Sequence, residues 1–326
     1  KFMQNKSVLS MGNAVLALRL VIGWTYFSAF WRRLILENKL DPEAAGYIGE
    51  KFNHFLPNAL FIKPLIQYLV ENPEALLWNM WIFTIVEGVV GLLLMLGYKT
   101  RIMSIAVFFL AMGILLGSGW IGTTCLDEWQ IGVLGLAGGF TLFQAGSGKI
   151  SLDYFFNKNQ FIQQENNWNS ISFQKYRPYF IGFSFFILFV TLFTNQVFHG
   201  GVYGTLHNKS VKPKVEISNL KQHQNKVSFD VMRIEGADVY GSFLIQIDFH
   251  NHQNEIIESL DMKELSNLDK QQISNYYVAK VTPHKHSLVL PLGAKANLNF
   301  DISDKIHKVV LTDISGLQWE QTITNL

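Results

Sequence analysis

Cys125 is the only cysteine of the chain, and Asp127 and Glu128 follow it closely in Gly119-Trp120-Ile121-Gly122-Thr123-Thr124-Cys125-Leu126-Asp127-Glu128-Trp129, a polar stretch between two long apolar runs. A thiolate is a nucleophile, and a neighbouring carboxylate can carry protons. A lone cysteine excludes an internal disulfide and any multi-cysteine metal or iron–sulfur site within one chain. A second group of interest is cationic. Arg32 and Arg33 follow Trp31 at the end of an apolar run, and Lys39 lies in the Lys39-Leu40-Asp41-Pro42 step. Two guanidiniums can hold a small dianion through bidentate hydrogen bonds, while long basic side chains at a membrane edge also simply snorkel. Both readings stand on the residues alone. Arg19 and Glu87 fall at depth within apolar runs, where unpaired charge is costly, so a salt bridge between them is expected; Glu87 is also a candidate for a proton path.

The elements that must carry these residues are membrane helices. Hydrophobic residues make up 49% of the chain and charged ones 16%, unevenly divided: the first two thirds are oily and the rest is not. Five apolar segments, near 13–31, 76–96, 102–119, 129–144 and 179–198, are read as transmembrane helices. The fourth is short, but Gly132, Gly135, Gly138 and Gly139 suit close packing against a neighbouring helix. The first runs into Trp31-Arg32-Arg33 without a small-residue cleavage site, and is read as an anchor rather than a removed signal.

Basic residues set the orientation. Lys1 and Lys6, Lys99 and Arg101, and Lys149, Lys158, Lys175 and Arg177 belong inside by the positive-inside rule. The N-terminus is then cytoplasmic in the cell (inner) membrane, and three segments lie on the outer or periplasmic side: 32–75, the Cys125 loop and everything after His199. The 41–73 stretch, punctuated by Pro42, Pro57, Pro64 and Pro73, reads as short amphipathic helices capping the bundle, with His54 as a surface or packing residue. A net charge of +2 with no basic tract gives no sign of nucleic-acid binding.

After about residue 203 the pattern turns to alternation, as in Val227-Ser228-Phe229-Asp230-Val231 and Gly241-Ser242-Phe243-Leu244-Ile245-Gln246-Ile247. Seven or so strands predict an all-β sandwich, with an immunoglobulin-like arrangement favoured. His250-Asn251-His252 and His284-Lys285-His286 lack a carboxylate or cysteine at metal-ligand spacing, and no metal site is assigned. The division expected is 1–160 for the helical membrane domain, 161–202 for a cytoplasmic linker and fifth helix, and 203–326 for the β domain.

Gly23-Trp24-Thr25-Tyr26-Phe27 through Trp31-Arg32-Arg33, Lys39-Leu40-Asp41-Pro42, Gly119-Trp120 with Thr124-Cys125-Leu126-Asp127-Glu128-Trp129, and Gly146-Ser147-Gly148-Lys149 leading to Leu152-Asp153 resemble the DoxD membrane family, and the C-terminal domain resembles DoxA. These are small subunits of thiosulfate:quinone oxidoreductase, separate chains in archaea and fused in many bacteria. The resemblance implies a DoxX/DoxD-like four-helix core plus a fifth transmembrane helix. It also implies a thiosulfate dehydrogenase (quinone) activity: two thiosulfates are oxidised to tetrathionate, and both electrons pass to a membrane quinone.

No flavin fingerprint, haem-attachment motif or cluster framework is visible, so quinone is the only redox partner called; no haem, flavin or metal is predicted. Cys125 is then the expected nucleophile, with Asp127 and Glu128 as proton carriers. Arg32, Arg33, Lys39 and Trp120 are expected to bind substrate, Trp120 also being the candidate for stacking on quinone. Trp129 and Glu87 are placed on the quinone or proton path. The β domain is expected to cover the Cys125 loop as a water-excluding lid. The partners are thiosulfate, quinone and the lipid bilayer, and a homo-oligomer is compatible with all of this. A sulfur-oxyanion transporter or receptor with an outer β capture domain is the competing reading.

Overall fold

The computed structural model describes residues 11–44, 46–122, 127–156, 158–168, 174–238 and 241–323. Helices form at each of the five apolar segments: α1 (Leu16–Phe30), α4 (Pro73–Leu96), α5 (Thr100–Ser118), α6 (Asp127–Ala145) and α9 (Gln174–His199). Among the described residues, three helices are long and apolar enough to cross a membrane, at Pro73–Leu96, Thr100–Ser118 and Lys175–His199. Between α1 and α4 lie α2 (Glu50–Phe55), a 3-10 turn (Leu56–Asn58) and α3 (Lys63–Glu71); α7 (Leu152–Phe156) and α8 (Lys158–Asn167) follow α6.

The glycines of α6 do what their spacing suggested. A Cβ on Gly132 would come within 2.8 Å of the Leu115 Cβ, and one on Gly135 within 2.7 Å of the Ala111 Cβ. On Gly139 it would lie 3.0 Å from the Ser104 carbonyl oxygen, so the α6 backbone lies directly against α5. The α4–α5 connection is tight for a local reason. Gly97, at φ +68°, closes α4: its amide donates to Leu94 (3.0 Å) and that of Tyr98 to Leu93 (2.9 Å), a Schellman ending that favours glycine. Asp153 then caps the start of α5, accepting from the amides of Lys99 (2.9 Å) and Thr100 (3.4 Å).

The C-terminal part is a β sandwich. One sheet has the order β1 (Lys214–His223), β2 (Lys226–Glu235), β8 (Lys295–Asp301), β5 (Ile273–Asn275). The other runs β10 (Gln318–Thr322), β9 (Lys308–Asp313), β3 (Ser242–His250), β7 (Ser287–Leu290), β6 (Thr282–His284), with β4 (Ile256–Leu260) also on β3. A short helix, α10 (Met262–Leu265), intervenes. Every described pairing is antiparallel, and the ten described strands exceed the seven or so anticipated because the short strands β4 to β7 carry little alternation. In β1, Val215, Ile217 and Leu220 point inward while Lys214, Glu216 and Ser218 face out. Phe229, Phe249 and Phe300, drawn from both sheets, meet in the core with centroids 5.7 to 6.3 Å apart.

The chain packs as two compact units. The helical unit takes the described residues of Lys1–Ile48, Leu77–Gly119 and Leu126–His207; the other takes those of Gly49–Leu76, Trp120–Cys125 and Asn208–Leu326. The segment expected to cap the bundle thus does form short helices, but it is built into the β unit. Leu56, Ala59, Ile66 and Val70 share a core there with Met232 and Tyr277.

Candidate functional site

In the helical unit the chain leaves α1 through a π-helical turn, Trp31–Leu36, that carries both arginines. A π turn widens the helix and re-aims its side chains. Arg33 forms an ion pair with Glu87, the carboxylate side chain being only 3% exposed and the guanidinium 21%. The guanidinium also lies 5.8 Å from the Phe83 ring centroid. Arg32 is exposed, its Nε donating to the Ser28 carbonyl at 3.3 Å. Lys39 pairs with Glu37 at 2.9 Å.

The expected Arg19–Glu87 bridge is therefore corrected: Glu87 takes Arg33. Arg19 is buried and donates instead to the carbonyls of Ser147 and Ile150, which tie the Gly146-Ser147-Gly148-Lys149 loop to α1. The two carbonyls take up both terminal nitrogens of the guanidinium, the Asp153 carboxylate acts on it at longer range, and its Nε finds no partner among the described residues. Tyr26 and Thr84 are also buried in the helical unit, and the Thr84 hydroxyl finds no partner among the described residues.

Cys125 lies outside the described residues, as does the side chain of Asp127. Glu128 is half-buried in the first turn of α6. Trp129 is a tie between helices: its Nε1–H donates to the Thr194 hydroxyl of α9 at 3.0 Å. His199, the last residue of α9, is fully buried, and its Nε2 lies 3.1 Å from the carbonyl oxygen of Gly119, at the head of the cysteine stretch. Sequence reasoning passed over His199. The available signal was a histidine closing an apolar span, a costly place for an imidazole.

In the β unit Trp120 is a core residue. It has no exposed surface, and its Nε1–H donates to the Phe55 carbonyl at 3.2 Å. Trp120, expected to bind substrate or to stack on quinone, is thus packed within the β unit. Gly122, the last described residue before Cys125, is clamped by residues that sequence reasoning missed. Its amide donates to the Ser210 hydroxyl (3.0 Å), and its carbonyl accepts from that hydroxyl (2.6 Å) and from the Asn208 amide (2.9 Å). No sequence signal joins Gly122 to partners more than eighty residues away.

Helix α2 brings a charged group into the same unit. Asp238 accepts from the Lys51 ammonium at 2.7 Å, and the His54 Nδ1 lies 3.9 Å from its carboxylate. The imidazole beside it and, against the upward push of burial, the Lys51 ammonium hold the Asp238 carboxyl well below the usual carboxylate range. His54 is 8% exposed, a packing residue as expected. Arg233 is buried nearby, donating to the carbonyls of Glu235 (3.2 Å) and Ala237 (2.8 Å), and burial brings its guanidinium down to about 10. His252 stacks on His307 at 4.3 Å, and His250 Nδ1 lies 3.1 Å from the Asn254 carbonyl. Among the described residues no three histidine, cysteine or carboxylate side chains converge as a metal-binding group.

Both halves of the chain match known families. The family described as TQO small subunit DoxD matches residues 15–183, and the family described as TQO small subunit DoxA matches residues 198–322. No solved structure matches the chain. The first match covers more than half of the sequence, the second follows in the expected order, and the chain belongs to the DoxD family of TQO small subunits, carrying a DoxA domain behind it.

Proposed function

We propose that this chain is a membrane thiosulfate:quinone oxidoreductase that works on the outer side of the cell membrane. The observation that carries the reading is the pair of family matches, DoxD over 15–183 and DoxA over 198–322, which places both small-subunit types on one polypeptide. Five spans with a cytoplasmic N-terminus then leave the Cys125 loop and the β unit outside, where thiosulfate is met. Quinone reaches the protein from the bilayer.

In the first step a thiosulfate sulfur bonds to Cys125 Sγ. The thiolate and the thiosulfate lose two electrons to quinone, which takes two protons to become quinol, and a Cys–Sγ–S–SO₃⁻ adduct remains. In the second step another thiosulfate attacks the bridging sulfur. The bond to Sγ breaks, tetrathionate leaves and the thiolate returns, so the sum is two thiosulfates, one quinone and two protons giving tetrathionate and quinol. Asp127 and Glu128 hand the protons over, and Glu87 supplies a deeper station on the same path. Arg32, exposed on the π turn, meets the dianion first, and Arg33 and Lys39, paired with Glu87 and Glu37 respectively, offer their remaining N–H donors beside it. His199 and the Ser210–Asn208 clamp on Gly122 support the two ends of the Gly119-Trp120-Ile121-Gly122 stretch leading to the loop.

The test is purified Cys125→Ser protein assayed for thiosulfate-dependent bleaching of a water-soluble quinone. Loss of at least about a thousandfold is expected for removal of a covalent nucleophile. Turnover near wild type would remove the covalent route, and wild-type protein that binds thiosulfate without reducing quinone would remove the enzymatic reading altogether.

A further inference from the structure

At the Lys99 end of the helical unit lies a cavity of about 720 Å³ that the proposed chemistry does not use. It sits at the opposite end of α5 from Gly119, and the 19 residues of Thr100–Ser118 separate the two by about 28 Å. Its lining is rich in groups that donate hydrogen bonds. Lys99 is exposed at its edge, with Nζ 5.7 Å from the Tyr98 ring centroid and no carboxylate pairing it among the described residues. Arg101 is held bidentate by Glu165 and lies 4.6 Å from the Trp168 ring centroid. Thr100 and Ser147 are each 2% exposed. Their hydroxyls, like the Trp168 Nε1–H, find no partner among the described residues.

Trp168 is also the seam to a second space. Its ring meets Phe143 at 5.3 Å and Phe180 at 6.2 Å, and both of these line an apolar groove of about 340 Å³. Ser104, Ile105, Phe108 and Phe109 of α5 form one wall of the groove and Phe140 of α6 another, with Phe183 of α9 opposite. Phe109 and Ile105 are 68% and 44% exposed, so the groove opens sideways from the bundle rather than into it. The lining holds two cations, Lys99 and Arg101, and two carboxylates, Asp153, which caps α5, and Glu165, which is taken up by Arg101; the flanking stretches 97–101 and 146–178 carry six basic residues and two acidic ones in all.

A donor-rich chamber with an uncovered ammonium, joined to an aromatic groove that opens sideways, matches a molecule with an acceptor-rich anionic head and a long apolar tail. We infer that this is a binding site for one anionic phospholipid, drawn from the leaflet at the Lys99 end. Its phosphate meets Lys99, its ester carbonyl accepts from Trp168 Nε1–H, and one acyl chain lies in the groove between α5, α6 and α9. The chamber far exceeds a quinone ring, and Lys99 supplies a charge that a neutral quinone does not need. Basic pockets between membrane helices bind anionic head groups in this way.

The experiment uses the full chain extracted in detergent and studied by native mass spectrometry, with dioleoylphosphatidylglycerol and dioleoylphosphatidylcholine titrated separately. A one-to-one phosphatidylglycerol adduct, formed in preference to phosphatidylcholine, is expected. Lys99→Gln should weaken it about fivefold, the loss of one lysine near a head group. Ile105→Trp, placed at a half-exposed position to fill the groove, should weaken it at least as much while the helical circular dichroism stays unchanged. Equal binding of both lipids to wild type would overturn the inference. So would a retained adduct with the mass of a quinone, or wild-type affinity in both variants.

Discussion

Asn53→Ala is the substitution whose effect the structure determines best. Asn53 is fully buried on α2, and its side chain joins that helix to two strand connections of the β unit. The Nδ2–H donates to the Gly293 carbonyl at 3.2 Å, and Oδ1 accepts from the Ala279 amide at 3.1 Å. Alanine removes both partners and leaves a donor and an acceptor in a space that water does not reach. Each stranded group costs about 1–3 kcal/mol, and the carbonyl, with a second lone pair, falls at the lower end, so the sum is about 3 kcal/mol. Spread over a local opening, this is roughly a hundredfold faster exchange of the Ala279 amide.

Hydrogen–deuterium exchange on the full chain reads it directly, comparing peptides over 48–58 and 275–284 with peptides from α5, which should not change. The same loosening frees Phe55, whose carbonyl holds the Trp120 indole, so turnover should fall as well. Exchange within about threefold of wild type in both peptides would refute the reasoning. Gly293→Ala approaches the junction from the other side. At φ +74° an L side chain is already strained, and its Cβ would run into the Asn53 carbonyl, so damage at least as large is expected.

Two further outcomes are expected. The depressed Asp238 carboxyl contributes stability that is fully present above the unfolded carboxylate value of about 4 and is lost as pH falls toward its folded value. Thermal melts of the β unit between pH 6 and pH 3 should therefore drop less steeply in Asp238→Asn than in wild type; parallel curves would show that the Lys51 and His54 contacts carry no linkage. For the Arg33–Glu87 pair, a double-mutant cycle with methionine at each position should give a coupling of about 1–3 kcal/mol in detergent melts. The double variant should then be more stable than the sum of the single losses implies; strictly additive losses would mean that the two groups do not interact.

Much of the architecture could be read from residue order. Apolar runs placed all five long helices, and the glycines of α6 announced the close approach to α5. Alternation such as Val227-Ser228-Phe229-Asp230-Val231 announced strands. What escaped was long-range pairing. Glu87 required a buried cation, and Arg19 and Arg33 were equally eligible by type. The choice fell to a π turn at Trp31–Leu36, a backbone irregularity that the residues there do not advertise. Trp120 read as a ligand-stacking aromatic because its partner, the Phe55 carbonyl, comes from a distant segment. Asp238 was unremarked, since its environment is made by Lys51 and His54 on α2. The chemistry assigned to Cys125, Asp127 and Glu128 still rests on their types and on family membership.

The discontinuity of the β unit has a consequence for synthesis. Asn53 acquires its partner Gly293 only 240 residues later, and Phe55 waits 65 residues for Trp120. At ribosomal rates of 5–20 residues per second, the longer interval is roughly 12–50 s. Through it, Leu56, Ala59, Ile66 and Val70 have been made while Met232 and Tyr277, which complete their core, have not. The segment around α2 and α3 must be sheltered during that time, by the bilayer surface or by a chaperone on its own side of the membrane. A chain interrupted after α9 would therefore lose its sandwich and also leave this earlier apolar face with nothing to cover it.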